Sequence, residues 1–165
     1  MKLSIVSVTA IAATLSASAA FAQDKVKFEY WYGLSGQLGD VVQQTCDRFN
    51  ASQDEYEITC VGQDGYANAV QASIAAFRAK QHPTVVQAYD AGTADLMMSG
   101  EFYPVHQMMA DFDIEIDWDD YFPGIANYYA SSKGELFSMP FNSSTPMLYI
   151  NKAHYAAAGL EAFPE

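Results

Sequence analysis

The sequence predicts an α/β fold with a largely parallel sheet. Two observations carry this expectation. Stretches with the period of a strand alternate with stretches with the period of a helix, in the order β-α-β-α-β-α across residues 25–98. Short turns rich in glycine and polar residues separate them. Strands and helices in that alternation bury their apolar faces as a parallel sheet layered with helices.

Residues 25–32 alternate, with Val26, Phe28, Tyr30 and Tyr32 on one face and Lys25, Lys27, Glu29 and Trp31 on the other, which marks a strand. Gly33-Leu34-Ser35-Gly36 is a turn. Residues 37–50 form an amphipathic helix, with Ser35 placed to cap it and Leu38, Val41, Val42, Cys46 and Phe49 as its apolar face. Residues 56–61 are a second strand, with Tyr56, Ile58 and Cys60 on one face. Residues 66–80 are a second helix that buries Val70, Ile74 and Phe77 and ends at Gln81-His82-Pro83. Residues 84–89 are apolar without clean alternation, as expected of a strand covered on both faces. Asp90-Ala91-Gly92-Thr93 then leads to a helical segment through Met98.

Beyond Gly100 the periodicity weakens. Residues 105–109 predict a short helix, and residues 121–131 a helix despite Pro123 near its start. Between them, residues 111–120 alternate acids with Phe, Ile and Trp. A calcium loop of the EF-hand type needs glycine where Ile116 stands and glutamate where Phe122 stands, so this stretch reads as a solvated acidic face. Residues 135–139 and 147–150 read as strands, and residues 152–158 as a helix closed by Gly159.

In such folds ligands bind outside the carboxyl ends of the parallel strands. Those ends carry Trp31, Tyr32 and Ser35 after the first strand, Asp64 and Tyr66 after the second, and Asp90 after the third. Rings that cover a carbon face, with hydroxyls and a carboxylate to pair with oxygens, suit a polyol. Pro140-Phe141-Asn142-Ser143-Ser144-Thr145-Pro146 adds a loop of small polar groups stiffened by two prolines, with donors to offer a ligand's oxygens.

Composition narrows the class. Of 165 residues half are hydrophobic and 14% aromatic, which is enough for a real core. The net charge of -12 disfavours nucleic acid and anionic membrane surfaces, both of which call for clustered Lys and Arg. Residues 1–22 have the layout of a secretory signal peptide: Lys2, a short apolar run, and Ala20-Phe21-Ala22 as a cleavage site, so the exported chain begins at Gln23. An uncleaved membrane anchor is the competing reading of the same run. Export permits a disulfide between Cys46 and Cys60, whose faces both point to the core; two packed free thiols are the alternative.

No reacting constellation is present. Gln37 stands where a nucleophile elbow needs glycine, and no Gly-Lys-Ser/Thr follows the glycines as a P-loop would require. His82, His106 and His154 are scattered, without metal-ligand spacing. The chain therefore reads as a binding protein with no catalytic residue, no metal and no cofactor.

The motifs together resemble the solute-binding proteins of ABC importers (extracellular solute-binding protein family 1), and among them the members that bind sn-glycerol-3-phosphate. The resemblance lies in Gly36-Gln37-Leu38-Gly39, Arg48-Phe49-Asn50-Ala51, Ile74-Ala75-Ala76-Phe77-Arg78, Gln87-Ala88-Tyr89-Asp90-Ala91-Gly92-Thr93-Ala94, the Pro140 to Pro146 loop, Leu148-Tyr149-Ile150-Asn151-Lys152 and Ala158-Gly159-Leu160. It implies a type II periplasmic-binding-protein-like fold of two α/β lobes closing on a ligand. Residues 1–22 would then be the signal peptide, residues 23–150 the N-terminal lobe with the first crossover, and residues 151–165 the start of the second lobe. It implies capture of sn-glycerol-3-phosphate, or a glycerophosphodiester, in the periplasm and delivery to the permease subunits of the inner membrane. Tyr66, Asp90 and Ser144 fall on the family's ligand contacts, with Asp90 where the family has glutamate. Trp31 and Ser35 are further candidates at the cleft wall, and the arginine that would answer the phosphate falls beyond residue 165. An oligosaccharide-binding relative is the alternative within the family, and a secreted α/β hydrolase the alternative outside it.

Overall fold

The computed structural model describes residues 24–160; the expected signal peptide, its cleavage site and the last residues of the expected second-lobe start lie outside that range. The chain divides into two units, Met1–Gln87 and Ala88–Glu165.

The first unit is built on a parallel sheet of three strands in the order β2-β1-β3: β1 Val26–Tyr32, β2 Tyr56–Gly62 and β3 Val85–Val86. β1 is central, and its register runs from Val26 opposite Tyr56 to Tyr32 opposite Gly62. Two helices cross between the strands, α1 Gly36–Ser52 and α2 Tyr66–Arg78. The alternation in β1 holds for Phe28, Tyr30 and Tyr32, whereas Val26 at the strand's start is exposed and Trp31 on the other face is half-buried. Tyr32 is buried with Val42 and Cys46 of α1, and Tyr30, Leu34, Ile58 and Cys60 pack around them. Gly62 lies against the Tyr32 ring, where a Cβ would stand at ordinary contact distance.

The buried faces of the helices are narrower than expected. In α1 only Gly39, Val42 and Cys46 are buried, while Leu38, Val41 and Phe49 are exposed. A stripe containing glycine lets the helix lie close, and a sheet of this width covers only that stripe. Phe49 still meets Phe28 edge-on, with centroids 6.2 Å apart. In α2 the buried residues are Ala69, Val70 and Ser73. Ile74 is half-buried and Phe77 exposed, stacked instead on His82. The two-residue β3 is too short to cover Phe77. The strand expected over residues 84–89 is reduced to that pair and is not covered on both faces, since Val85 is exposed. Ser35 stands at the N-cap of α1, but its side chain makes no capping bond.

The outer edge of β2 is protected by side chains. The Asn50 amide donates to Ile58 O at 2.9 Å and accepts from Ile58 N at 2.8 Å, as a neighbouring strand would. Gln53 accepts from the Tyr56 amide and donates to the Tyr56 carbonyl. A disulfide joins Cys46 of α1 to Cys60 of β2, with Cα atoms 6.4 Å apart.

The second unit is mainly helical where it is regular. α3 Asp90–Ser99 ends at Gly100, which takes the left-handed conformation of a helix C-cap at φ 68°. α4 Val105–Asp111 starts against the 136–137 segment: Val105 N donates to Phe137 O and His106 N to Leu136 O. A 3-10 turn covers Trp118–Asp120, where Asp117 accepts from Asp119 N at 3.0 Å. Among the described residues no group of His, Cys, Asp or Glu is arranged to hold a metal, and no helix is long and apolar enough to cross a membrane.

Three expected elements change here. The helix over residues 121–131 contracts to α5 Pro123–Ala126, since Pro123 starts it, Gly124 weakens it, and the chain after Asn127 turns towards a bridge. The strand over residues 135–139 contracts to an antiparallel bridge of Leu136 with Ala130. The strand over residues 147–150 is absent. Met147, Leu148 and Tyr149 are 71, 77 and 88% exposed, and no ladder reaches them from the described residues. α6 Lys152–Ala157 follows, with the Asn151 side chain accepting from Ala153 N and His154 N as an N-cap.

The disulfide closes a separation of 14 residues between α1 and β2. Its loss is expected to lower unfolding stability by about 3 kcal/mol. Denaturant unfolding with and without reductant checks the stability. Titration of the unreduced, denatured protein should find no reactive thiol.

Candidate ligand-binding site

The first unit gathers Trp31, Ser35 and Tyr66 at the carboxyl end of its sheet. α1 and α2 follow β1 and β2, so their N-termini open onto that same end. Neither N-cap, Ser35 nor Gly65, makes a side-chain capping bond. The first amides of both helices therefore have no side-chain cap, and the macrodipole favours negative charge beside them. The Ser35 hydroxyl is exposed and makes no hydrogen bond among the described residues. Trp31 is half-buried, and its indole N–H donates to Glu29 Oε2 at 2.9 Å. Its polar atom is thereby occupied, which leaves Trp31 only a ring face to offer.

Tyr66 is the first residue of α2 and is half-buried. Gly65 before it sits at φ 143°, ψ 147°, a conformation that only glycine adopts without strain. Gly33, at the exit of β1, packs directly on the Gly65–Tyr66 backbone. Gln87, at the exit of β3, accepts from Gly33 N at 2.9 Å and donates its own amide to Trp31 O at 2.8 Å. Gln63 N donates to Tyr32 O at 2.8 Å. All three strand exits are thus tied together within one turn of chain.

Beside this knot stand two further tyrosines. Tyr30 and Tyr32 have ring centroids 5.8 Å apart. The Tyr30 phenol is pushed up from 10.0 to about 12, first by burial and then by the neighbouring phenols Tyr32 and Tyr66. Tyr66, at the helix start, is thus close enough to act on the Tyr30 phenol electrostatically.

The second unit holds Asp90 and Ser144. Asp90 is exposed and is the first residue of α3, not a residue of the strand end as its place in the sequence suggested. Its Oδ1 accepts from Ala91 N at 2.8 Å and its Oδ2 from the Tyr128 hydroxyl at 3.3 Å. The carboxylate is held in place by these bonds and keeps further lone pairs for a ligand's hydroxyls. Ser144 lies in the irregular segment 141–149, exposed, and its hydroxyl makes no hydrogen bond among the described residues. No hydrogen bond joins Asp90 to Ser144.

Sequence reasoning did not single out Tyr128, Gln87, Gly33 or Tyr30 as site residues, whereas Tyr32 was placed at the end of the first strand. Tyr128 and Gln87 act across 38 and 54 residues, a pairing that no local pattern reveals. Tyr30 was legible only as a core residue of an alternating strand.

A parallel sheet whose carboxyl end carries rings, hydroxyls and uncapped helix starts offers the groups that suit a small polar solute. The chain belongs to the bacterial extracellular solute-binding protein family, which it matches over residues 44–165. Its relatives include the sn-glycerol-3-phosphate-binding periplasmic protein UgpB of Yersinia pestis bv. Antiqua (strain Antiqua), 44% identical over 153 residues, which are 92% of this chain and 34% of that protein. The protein of the same name from Brucella abortus (strain 2308) is 39% identical over 153 residues, 92% of this chain and 35% of its own. The chain thus spans about a third of the length of the curated relatives it matches.

Among solved structures, CpMnBP1 with mannotriose bound superposes at a TM-score of 0.60 over 83% of this chain and 34% of its own, with 21% identity. The sugar-binding protein MalE from the phytopathogen Xanthomonas citri superposes at 0.56 over 70% and 28%, also with 21% identity. These two establish the fold: α/β, of the type II periplasmic-binding-protein-like class expected from the sequence.

The Tyr30 shift carries a pH prediction. Folding favours the protonated phenol, so its contribution to stability is full below pH 10 and is lost as pH rises through about 12. Tyr30→Phe should flatten the fall in stability across that window, as read by denaturant midpoints. It should also remove the last phenolate step in an ultraviolet titration.

Proposed function

We propose that this protein is the solute-capturing component of an ABC importer and that it takes sn-glycerol-3-phosphate, or a related glycerophosphodiester, in the periplasm for delivery to permease subunits of the inner membrane. The observation that supports this most is the 44% identity, across 92% of the chain, to a relative that bears that ligand in its name. The side chains at the candidate site agree with it. Tyr66, Asp90 and Ser144 would hold the glycerol part, the carboxylate and hydroxyls pairing with its hydroxyl groups. Ser35 and the face of Trp31 would line the wall. The uncapped starts of α1 and α2 would favour the ligand's negative charge.

On this reading residues 23–150 belong to a first lobe with its crossover, and residues 151–165 begin a second. Closure of two lobes over the ligand is the mechanism, and no covalent step, metal or cofactor is involved. Asp90 reaches one methylene less far than the glutamate of the family, and a bridging water would fill the gap. An oligosaccharide ligand is the second reading, favoured by the sugar-binding names of the fold neighbours; at 21% identity those speak for the fold alone.

Calorimetry on the full-length protein tests the choice. Saturable binding of sn-glycerol-3-phosphate, with weaker binding of maltose, is expected; the reverse order would overturn the ligand assignment. Tyr66→Phe and Ser144→Ala should each weaken the glycerol-3-phosphate affinity about fivefold, the worth of one hydrogen bond.

A further inference from the structure

We propose that Gly33 and Gln87 are positioning residues for Tyr66, and that through it they set the affinity of the ligand site. The inference rests on the reading above that Tyr66 touches the ligand. Gln87 is buried, 6% exposed, and holds two points of β1's exit at once. Its backbone N–H continues the ladder to Trp31 O, and its side-chain oxygen takes the Gly33 N–H, where β1 has left the ladder. The β1–α1 connection is therefore fixed across 54 residues to the exit of the third strand.

Gly33 is buried and has no room for a side chain. A Cβ there would stand 2.5 Å from Tyr66 N and 2.6 Å from both Gly65 C and Tyr66 Cα. These are backbone atoms, which cannot swing aside as the end of a long side chain does. The requirement at Gly33 is space. At Gly65 it is conformation, at φ 143°. The start of α2 is thus pressed from one side by Gly33 and shaped from within by Gly65. The Tyr66 ring leaves the chain at that point, with no turn of helix before it to absorb a shift. Adding a methyl at Gly33, or releasing Gly33 from Gln87, moves the ring that the ligand meets.

A purely structural role would lower stability without regard to Tyr66, so the test is a mutant cycle read by affinity. Full-length wild type, Gly33→Ala, Tyr66→Ala and the double variant are titrated with sn-glycerol-3-phosphate by calorimetry. Unfolding temperature is followed in parallel. Gly33→Ala should weaken binding about tenfold in the wild-type background and by less than about twofold when Tyr66 is already alanine. Gln87→Leu should weaken binding in the same sense, and Gln87→Glu, which keeps an acceptor at the same reach, should restore it to within about threefold of wild type. These two variants decide the matter if Gly33→Ala does not fold. An equal loss in both backgrounds, or lowered unfolding temperatures with unchanged affinity, would overturn the positioning role. Wild type that fails to bind sn-glycerol-3-phosphate would overturn the functional reading and this inference with it. Wild type that binds and loses affinity in Tyr66→Ala, without coupling to Gly33, would overturn the inference alone.

Discussion

The hydrogen bond from the Gly33 amide to the buried Gln87 side chain is the constraint on which the arrangement of the first unit's strand exits depends. A parallel sheet leaves its strand exits as three separate loops. Here they are one assembly. Gln63 holds Tyr32 O, Gln87 holds Trp31 O and Gly33 N, and Gly33 lies against the start of α2. The amide of Gly33 is buried and off the sheet, so without Gln87 it would carry the full cost of an unmade bond, about 1–3 kcal/mol. The same small residue that needs this partner supplies the gap into which α2 fits. Packing and hydrogen bonding thus act on one backbone position.

Beneath the exits, the core supports the same end of the sheet. Tyr32 packs over Gly62 and beside the pair Cys46–Cys60, which ties α1 to β2. Asn50 and Gln53 close the outer edge of β2 by imitating a further strand. The unit is small, and its few wholly buried residues are compensated by these covalent and polar ties.

The fold was legible because its first half obeys two clean periods. β1 buries Phe28, Tyr30 and Tyr32 wholly or in part on one face as expected, although Val26 at its start is exposed and Trp31 on the other face is half-buried, and the faces of Ile58 and Cys60 follow from the same parity. Periodicity names a face but not how much of it is covered, so Leu38, Val41 and Phe77 were expected inside and stand outside. Apolar runs name strands only where a neighbour can complete the ladder, which residues 147–150 lack among the described residues. At the site, Tyr66 and Ser35 were legible as residues that follow a strand. Asp90 was found by the same rule but stands in the first turn of α3, where its carboxylate binds Ala91 N and receives Tyr128. Partners that act over 38 or 54 residues leave no local trace in the chain.

The lock that Gln87, just past the third strand, places on the exit of the first is tested most directly by amide hydrogen exchange at Gly33. The account predicts protection of the Gly33 amide close to that of the ladder amides of β1, although Gly33 lies outside the strand, and its loss in Gln87→Leu. Exchange of the Gly33 amide at the rate of an open loop in the wild-type protein would contradict it.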